Sequence, residues 1–204
     1  MFIPTLKSSI DRTINAFGSI PEARKEILAR IAEYVRERRS KHQEVNLTYI
    51  CTHNSRRSHM AQLWAKVASV YYGIDVNTFS GGTEVTAFNP RAVAALKRAG
   101  FKIFTESDSS NPIYSVYYSD NESPQLAWSK KYQDESNPQK DFAAIMTCSS
   151  ADKNCPIVFG ANARIAIPYE DPKVADNTEA EIKRYDERSH QIATEMMYCF
   201  SLLK

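Results

Sequence analysis

Apolar positions recur at helical spacing twice before residue 45. Leu6, Ile10, Ile14 and Phe17 lie on one stripe, and Gly18 is placed to end that helix. Ser19 and Glu22 have capping-box spacing with Pro21 in the first turn, and Ile27, Leu28, Ile31, Tyr34 and Val35 make a second stripe. The basic run from Arg36 to Lys41 suits the negative end of that helix's dipole. Residues 1–44 therefore read as a helical extension of the domain that follows.

From Val45 the period changes. VNLTYIC is a short β-rich run, THNSRRS is polar, and the helix after it carries Met60, Ala61, Trp64, Val67, Ala68 and Tyr71 on one side. Asp75 to Ser80 reads as a second strand, Gly81 and Gly82 as a turn, and Asn89-Pro90 as the start of a helix reaching Ala99. Residues 104–141 are less regular: Ile113 to Tyr118 alternates as a strand between the polar stretches Ser107–Asn111 and Asp134–Lys140, predicting an inserted hairpin. Phe142–Thr147 and Ala163–Ile167 read as buried strands. Asp176 with Glu179 then has the spacing to cap a last helix bearing Ile182, Tyr185, Ile192, Met196, Cys199, Phe200 and Leu203. Cys199 lies within that stripe and reads as core. Alternating strands and helices predict one α/β domain over residues 45–204, a parallel sheet covered by helices.

Composition narrows the function. In 204 residues, 43% are hydrophobic and 25% charged, an ordinary globular balance that excludes disordered and fibrous classes. Twenty-six basic against twenty-four acidic residues leave +2, so nothing global draws the chain to nucleic acid or an anionic membrane. No apolar run approaches a membrane span and MFIPTLKSSI lacks a signal-peptide pattern, which sets a cytoplasmic expectation. Four cysteines are too few for a disulfide scaffold, and in a reducing compartment they suggest catalytic, redox or metal roles.

CTHNSRRS, residues 51–58, sets Cys51 at a strand end, Arg57 six residues later, and Ser58 at a helix start. Such a loop turns successive backbone N–H groups inward, and the helix terminus adds partial positive charge. Thr52, His53, Asn54, Ser55, Arg56, Arg57 and Ser58 would thus surround a tetrahedral oxyanion, with Arg57 offering a planar fork to two oxygens. The same field activates Cys51 as a nucleophile.

Cys51, Asn54, Arg57 and Ser58 resemble the phosphate-binding loop of the low-molecular-weight protein tyrosine phosphatase superfamily, which includes the thioredoxin-coupled arsenate reductases. The resemblance covers residues 45–204, apart from the N-terminal helices and part of the 104–141 insertion. It implies a four-stranded parallel sheet with helices on both faces. Family members commonly have Gly at the place of His53 and often a second Cys at the place of Arg56. Arg56 makes the loop more positive and removes any disulfide within it, and His53 reads as a solvent-facing loop residue able to enter a left-handed conformation.

The resemblance extends to TCSSADKNCP. Cys148 at a strand end and Cys155 seven residues on match the two resolving cysteines of the thioredoxin-coupled reductases. A zinc site fits poorly, since the spacing is long and no second Cys or His pair is near, and the reading calls for no metal and no cofactor. Were the segment between them helical, seven residues would separate the Cα atoms by about 10.5 Å, beyond the roughly 7 Å that a disulfide spans. Oxidation would then require unwinding.

In the phosphatase family an Asp directly before Pro is the general acid, and Asp171 of YEDP occupies that place. Pro172 restricts Asp171 to extended backbone. Lys173-Val174-Ala175 follows, where tyrosine-specific members tend to carry aromatic residues, and Tyr169 and the aromatic-rich insertion are the other candidate walls for a substrate ring. Gln62 replaces an acidic residue that some reductases link to potassium. The resemblance therefore implies a thioredoxin-coupled arsenate reductase using Cys51, Arg57, Asp171, Cys148 and Cys155, with arsenate or phosphate as the bound oxyanion and thioredoxin as partner. The alternatives are a phosphatase acting on phosphotyrosine or a small phosphomonoester, and a non-catalytic oxyanion sensor.

Overall fold

The computed structural model describes residues 1–154 and 157–204, and for Asn154 the backbone alone. Two helices, α1 (Pro4–Asn15) and α2 (Glu22–Ser40), precede β1 (Asn46–Cys51), α3 (Arg57–Tyr72), β2 (Asn77–Gly82) and α4 (Pro90–Arg98). The short strands β3 (Lys102–Phe104), β4 (Tyr114–Tyr117) and β5 (Gln125–Ala127) come next, followed by β6 (Phe142–Met146), α5 (Ser149–Asn154), β7 (Ala161–Ala166) and α6 (Glu181–Ser201). The main sheet has the order β2-β1-β6-β7, and all of its pairings are parallel. The predicted hairpin, β4 with β5, is extended by β3 into a separate three-stranded antiparallel sheet. Among the described residues no helix is long and apolar enough to cross a membrane.

The two-residue period of the strands sorts side chains onto two cores. Leu47, Tyr49, Ala143, Ile145 and Ile165 join the larger one with Leu63, Trp64 and Val67 of α3 and Ile192, Met196 and Met197 of α6. Ile50, Phe142, Ala144 and Met146 join the smaller one with Ala151 of α5, Tyr132, and both Cys51 and Cys148. The N-terminal helices share the larger core. Leu6, Ile10, Leu28, Ile31 and Val35 are fully buried there, each contributing on the order of 2 kcal/mol of apolar burial.

Several sequence expectations give way to stronger local partners. Ser19 does not cap α2: its Oγ donates to the Ala16 carbonyl at 2.7 Å, and the helix starts behind Pro21 with no side-chain cap. Asp176 and Glu179 do not cap α6, which starts at Glu181, because Asp176 accepts from the Tyr185 hydroxyl at 2.7 Å. Ile182, placed on the buried stripe by periodicity, is exposed. Asn89 does cap α4, accepting from Arg91 N at 2.9 Å ahead of Pro90.

Gly81 and Gly82 belong to β2 and make no turn. A Cβ on Gly81 would lie 2.4 Å from the Tyr132 Cα, and one on Gly82 would lie 2.7 Å from both Asn54 N and Thr52 O. The glycines are there for close backbone approach, the other reason a chain uses them. Gly82→Ala should therefore cost about 2 kcal/mol, whereas Gly18→Ala, with nothing within 4 Å of the new atom, should change little. Urea unfolding of both variants checks this, and equal midpoints would remove the close-approach explanation.

Candidate active site

The loop between β1 and α3 spends its carbonyls outward. Thr52 O accepts from Glu84 N at 2.8 Å and Thr83 Oγ1 at 3.2 Å, and Ser55 O accepts from Asn89 N at 2.9 Å. His53 O accepts from Ser129 Oγ at 2.9 Å and Thr86 Oγ1 at 3.2 Å. The N–H groups of residues 53–58 have no such acceptor among the described residues, and Arg56, at the N-cap of α3, provides no side-chain cap. Backbone donors without partners at a helix N-terminus are the groups from which an anion nest is built.

Cys51 stands at the carboxyl end of β1, nearly buried, with its Sγ 3.1 Å from Ser58 Oγ. Asn54 Nδ2 donates to that same Oγ at 2.9 Å, which leaves the Ser58 proton for the sulfur. Asn54 is left-handed, φ 44°, and its Oδ1 accepts from Lys130 N at 2.9 Å. The insertion thus clamps the loop at two successive residues: Lys130 N on Asn54, and Ser129 Oγ on His53 O. Asn111 fixes Ser129 in turn, donating to its carbonyl at 2.8 Å and accepting from its N–H at 3.1 Å.

Arg57 faces the segment after β7. Its Nη1 donates to Tyr169 O at 2.9 Å and its Nη2 to Asp171 Oδ2 at 2.8 Å, while Nε is buried and unpartnered. Asp171 has the extended backbone that Pro172 requires, φ −75° and ψ 121°, and its Oδ1 accepts from Lys173 N at 3.1 Å. Arg56 turns away from the loop's concave side: its Nε donates to the Tyr185 hydroxyl at 2.8 Å and sits 3.9 Å from Asp171 Oδ1. Burial, together with the hydrogen bond to Asp176, pushes the Tyr185 hydroxyl up to about 12, so it remains a donor. The His53 side chain is exposed and lies 3.3 Å from Glu84, and Ser55 Oγ donates to Ala87 O at 2.7 Å. The Tyr169 ring is buried with its hydroxyl on Glu195 at 2.8 Å, so it lines no substrate wall. Gln62 Nε2 donates to Thr78 O at 3.2 Å.

Cys148 follows β6, the strand beside β1, and Ile50 pairs with Met146 in register. Its buried Sγ accepts from Ala151 N at 3.3 Å and lies 3.5 Å from Thr52 Oγ1, directly against the loop. Residues 149–154 after it are helical, and Cys155 lies outside the described residues. Cys51, Cys148 and Cys199 are free thiols. Cys199 is in the large core, where burial pushes it up to about 12, and it donates to Leu28 O at 3.4 Å.

Sequence reasoning missed the supports. The Lys130 and Tyr169 contacts run through main chain and leave no signature in side-chain type. His59, behind the loop, is fully buried, stacked on Phe88 at 4.1 Å between centroids, and desolvation lowers it to about 3. Lys130 is also buried, with its ammonium 3.9 Å over the Trp128 ring, and desolvation lowers it to about 8 against a weak pull from Asp134.

No family model matches the chain. Arsenate reductase 2 of Staphylococcus epidermidis is 31% identical over 124 residues, 61% of this chain and 76% of that protein. Arsenate reductase of Brevibacillus brevis is 30% identical over 148 residues, 68% of this chain and 92% of that protein. Among solved structures, the low-molecular-weight protein tyrosine phosphatase of T. tengcongensis superposes with a TM-score of 0.53 at 16% identity, covering 78% of this chain and all of its own (100%).

Two outcomes follow from the clamp. Ser129→Ala removes a donor from His53 O and an acceptor from Thr86 N, and should weaken phosphate binding roughly tenfold; unchanged affinity by calorimetric titration would mean that Ser129 does not hold the loop. Lys130 gives a pH signature. The unfolded chain keeps the lysine proton up to about 10.5 while the folded chain loses it near 8, so stability rises with pH across that window. Lys130→Met should be the more stable protein at neutral pH, and urea midpoints of the two should converge as pH climbs through that window. A pH-independent difference would contradict the desolvated-ammonium account.

Proposed function

Because the chain belongs to the arsenate reductase family, within the low-molecular-weight protein tyrosine phosphatase superfamily, and is an enzyme, we propose that it reduces arsenate with its own thiols and is regenerated by thioredoxin. The observation that carries the proposal is the buried thiol of Cys148, 3.5 Å from the Thr52 hydroxyl of the loop. Hydrolysis has no use for a second thiol in that place.

In the proposed cycle the loop N–H groups and Arg57 hold the arsenate oxygens, and Cys51 attacks arsenic. Asp171 protonates the oxygen that leaves. Cys148 then attacks the Cys51 sulfur; the electron pair of the sulfur–arsenic bond passes to arsenic, arsenite departs, and a Cys51–Cys148 disulfide forms. Arsenic has gained the two electrons that the thiols lost. Cys155 attacks Cys148 next, freeing Cys51 as a thiol and leaving a Cys148–Cys155 bond for the dithiol of thioredoxin. A helix continuing from α5 through Cys155 would hold the two cysteines about 10.5 Å apart, beyond the roughly 7 Å that a disulfide spans, and this step would then need it to open. A cycle of this kind belongs in a reducing compartment, which we take to be the cytoplasm.

A single addition of arsenate to reduced protein tests the cycle, with arsenite release and disulfide mapping by mass spectrometry as readouts. Cys148→Ser should release no arsenite. Cys155→Ser should complete about one turnover and trap a Cys51–Cys148 bond. Both should hydrolyse an aryl phosphate nearly normally through Cys51, Arg57 and Asp171. Wild-type protein that hydrolyses the ester yet forms neither arsenite nor a Cys148–Cys155 bond would be a phosphatase.

A further inference from the structure

The N-terminal helices reach the segment that carries Asp171 through one side chain. Arg24, on α2, sends Nε and Nη2 to the two oxygens of Glu195 on α6, at 3.2 and 2.5 Å. Its remaining Nη1 donates to Pro168 O at 3.0 Å, and its guanidinium lies over the Tyr169 ring, 4.8 Å from the centroid. Glu195 is buried, with only 3% of its side chain exposed, and also accepts from the Tyr169 hydroxyl at 2.8 Å and Gln191 Nε2 at 3.1 Å. This carboxylate is therefore paired and fully hydrogen-bonded, the condition under which a charge can remain in an interior.

A bundle that only added apolar core would need no such group. The guanidinium ends on the peptide joining Pro168 to Tyr169; Tyr169 O receives Arg57 Nη1, and Asp171 lies two residues on. Glu170, between them, is met by Arg188 Nη2 of α6 at 3.1 Å. Four consecutive residues are thus each held by an arginine, and one of those arginines comes from the N-terminal helices.

We propose that Arg24 is a positioning residue: through Pro168 and Tyr169 it sets the placement of Asp171, and this is what the N-terminal helices contribute to catalysis. The proposal rests on Asp171 being the acid of the function proposed above. An acid misplaced by a fraction of an ångström loses rate where a proton must be delivered, and loses little where the leaving group departs unaided.

The test uses the whole protein and two esters, phenyl phosphate, whose more basic phenolate gains from the acid, and 4-nitrophenyl phosphate, whose nitrophenolate departs readily without it. Arg24→Met alone strands Glu195 and risks unfolding, so the principal variant is Arg24→Met with Glu195→Leu, which removes both charges together. Its kcat on phenyl phosphate should fall about tenfold, with KM and the nitrophenyl rate within about twofold. Arg24→Lys keeps a cation for Glu195 without the fork that also reaches Pro168 O, so it should fold as the wild type does and still show the selective loss on phenyl phosphate. Hydrogen exchange followed by mass spectrometry should show faster exchange in residues 168–175 of the double variant and unchanged exchange in α3. Equal losses on both esters, or unchanged exchange in 168–175, would overturn the proposal. Should the wild-type protein turn over neither ester nor arsenate, the functional reading fails separately, and exchange in 168–175 with phosphate affinity still decides whether Arg24 holds the segment.

Discussion

A backbone taken out of water must find partners for both of its polar groups, and the loop after β1 satisfies only one of the two. Its carbonyls are bonded to Thr83, Glu84, Thr86, Asn89 and Ser129, while its N–H groups have no protein acceptor among the described residues. In the function proposed above, an oxyanion would complete the unsatisfied half, and α3 would add the field of its first turn. Cys51, Asn54 and Ser58 then organise one proton at the sulfur.

Everything around the loop serves to keep the asymmetry from relaxing. Gly82 lets the β2 backbone lie against the loop, the insertion holds His53 O and the Asn54 side-chain amide, and the arginines of three helices fasten the segment bearing Asp171. The N-terminal helices and the insertion lie on different sides of this arrangement in sequence, yet both converge on it through hydrogen bonds, one from Arg24 and two from Ser129 and Lys130. Packing supplies the stability of these additions, and polar contacts supply their direction.

Much of this could be read from the chain before any coordinates. The apolar run ending at Cys51, the polar octet and the amphipathic helix beyond marked the loop, because each obeys a local rule of period or capping. The extended backbone of Asp171 was legible from Pro172 after it, whereas its role as an acid rests on the family resemblance alone. Gly81 and Gly82 were misread since a glycine pair signals a turn or a close approach alike, and only the Tyr132 and Asn54 backbones distinguish them. Ser19 and Asp176 were misread because a cap is a competition, lost here to Ala16 O and Tyr185. Lys130 and Tyr169 were invisible, for a main-chain donor or acceptor carries no residue-type signal. The reach of Arg24 across 171 positions to Glu195 lies beyond any local pattern.

The glycines that allow the close approach also leave β2 with a bare rim. β2 is an outer strand of the main sheet, and over Gly81 and Gly82 no side chain shields its main chain. Unpaired groups on such a rim invite strand addition from another molecule. Residues 130–132 occupy the place first: Lys130 O takes Gly82 N at 2.8 Å, Tyr132 N takes Gly82 O at 2.9 Å, and Lys131 bridges Gly82 in parallel. The insertion thereby occupies the backbone groups of Gly82 that strand addition would need, at a position where a side chain would collide with Thr52 and Asn54 of the loop.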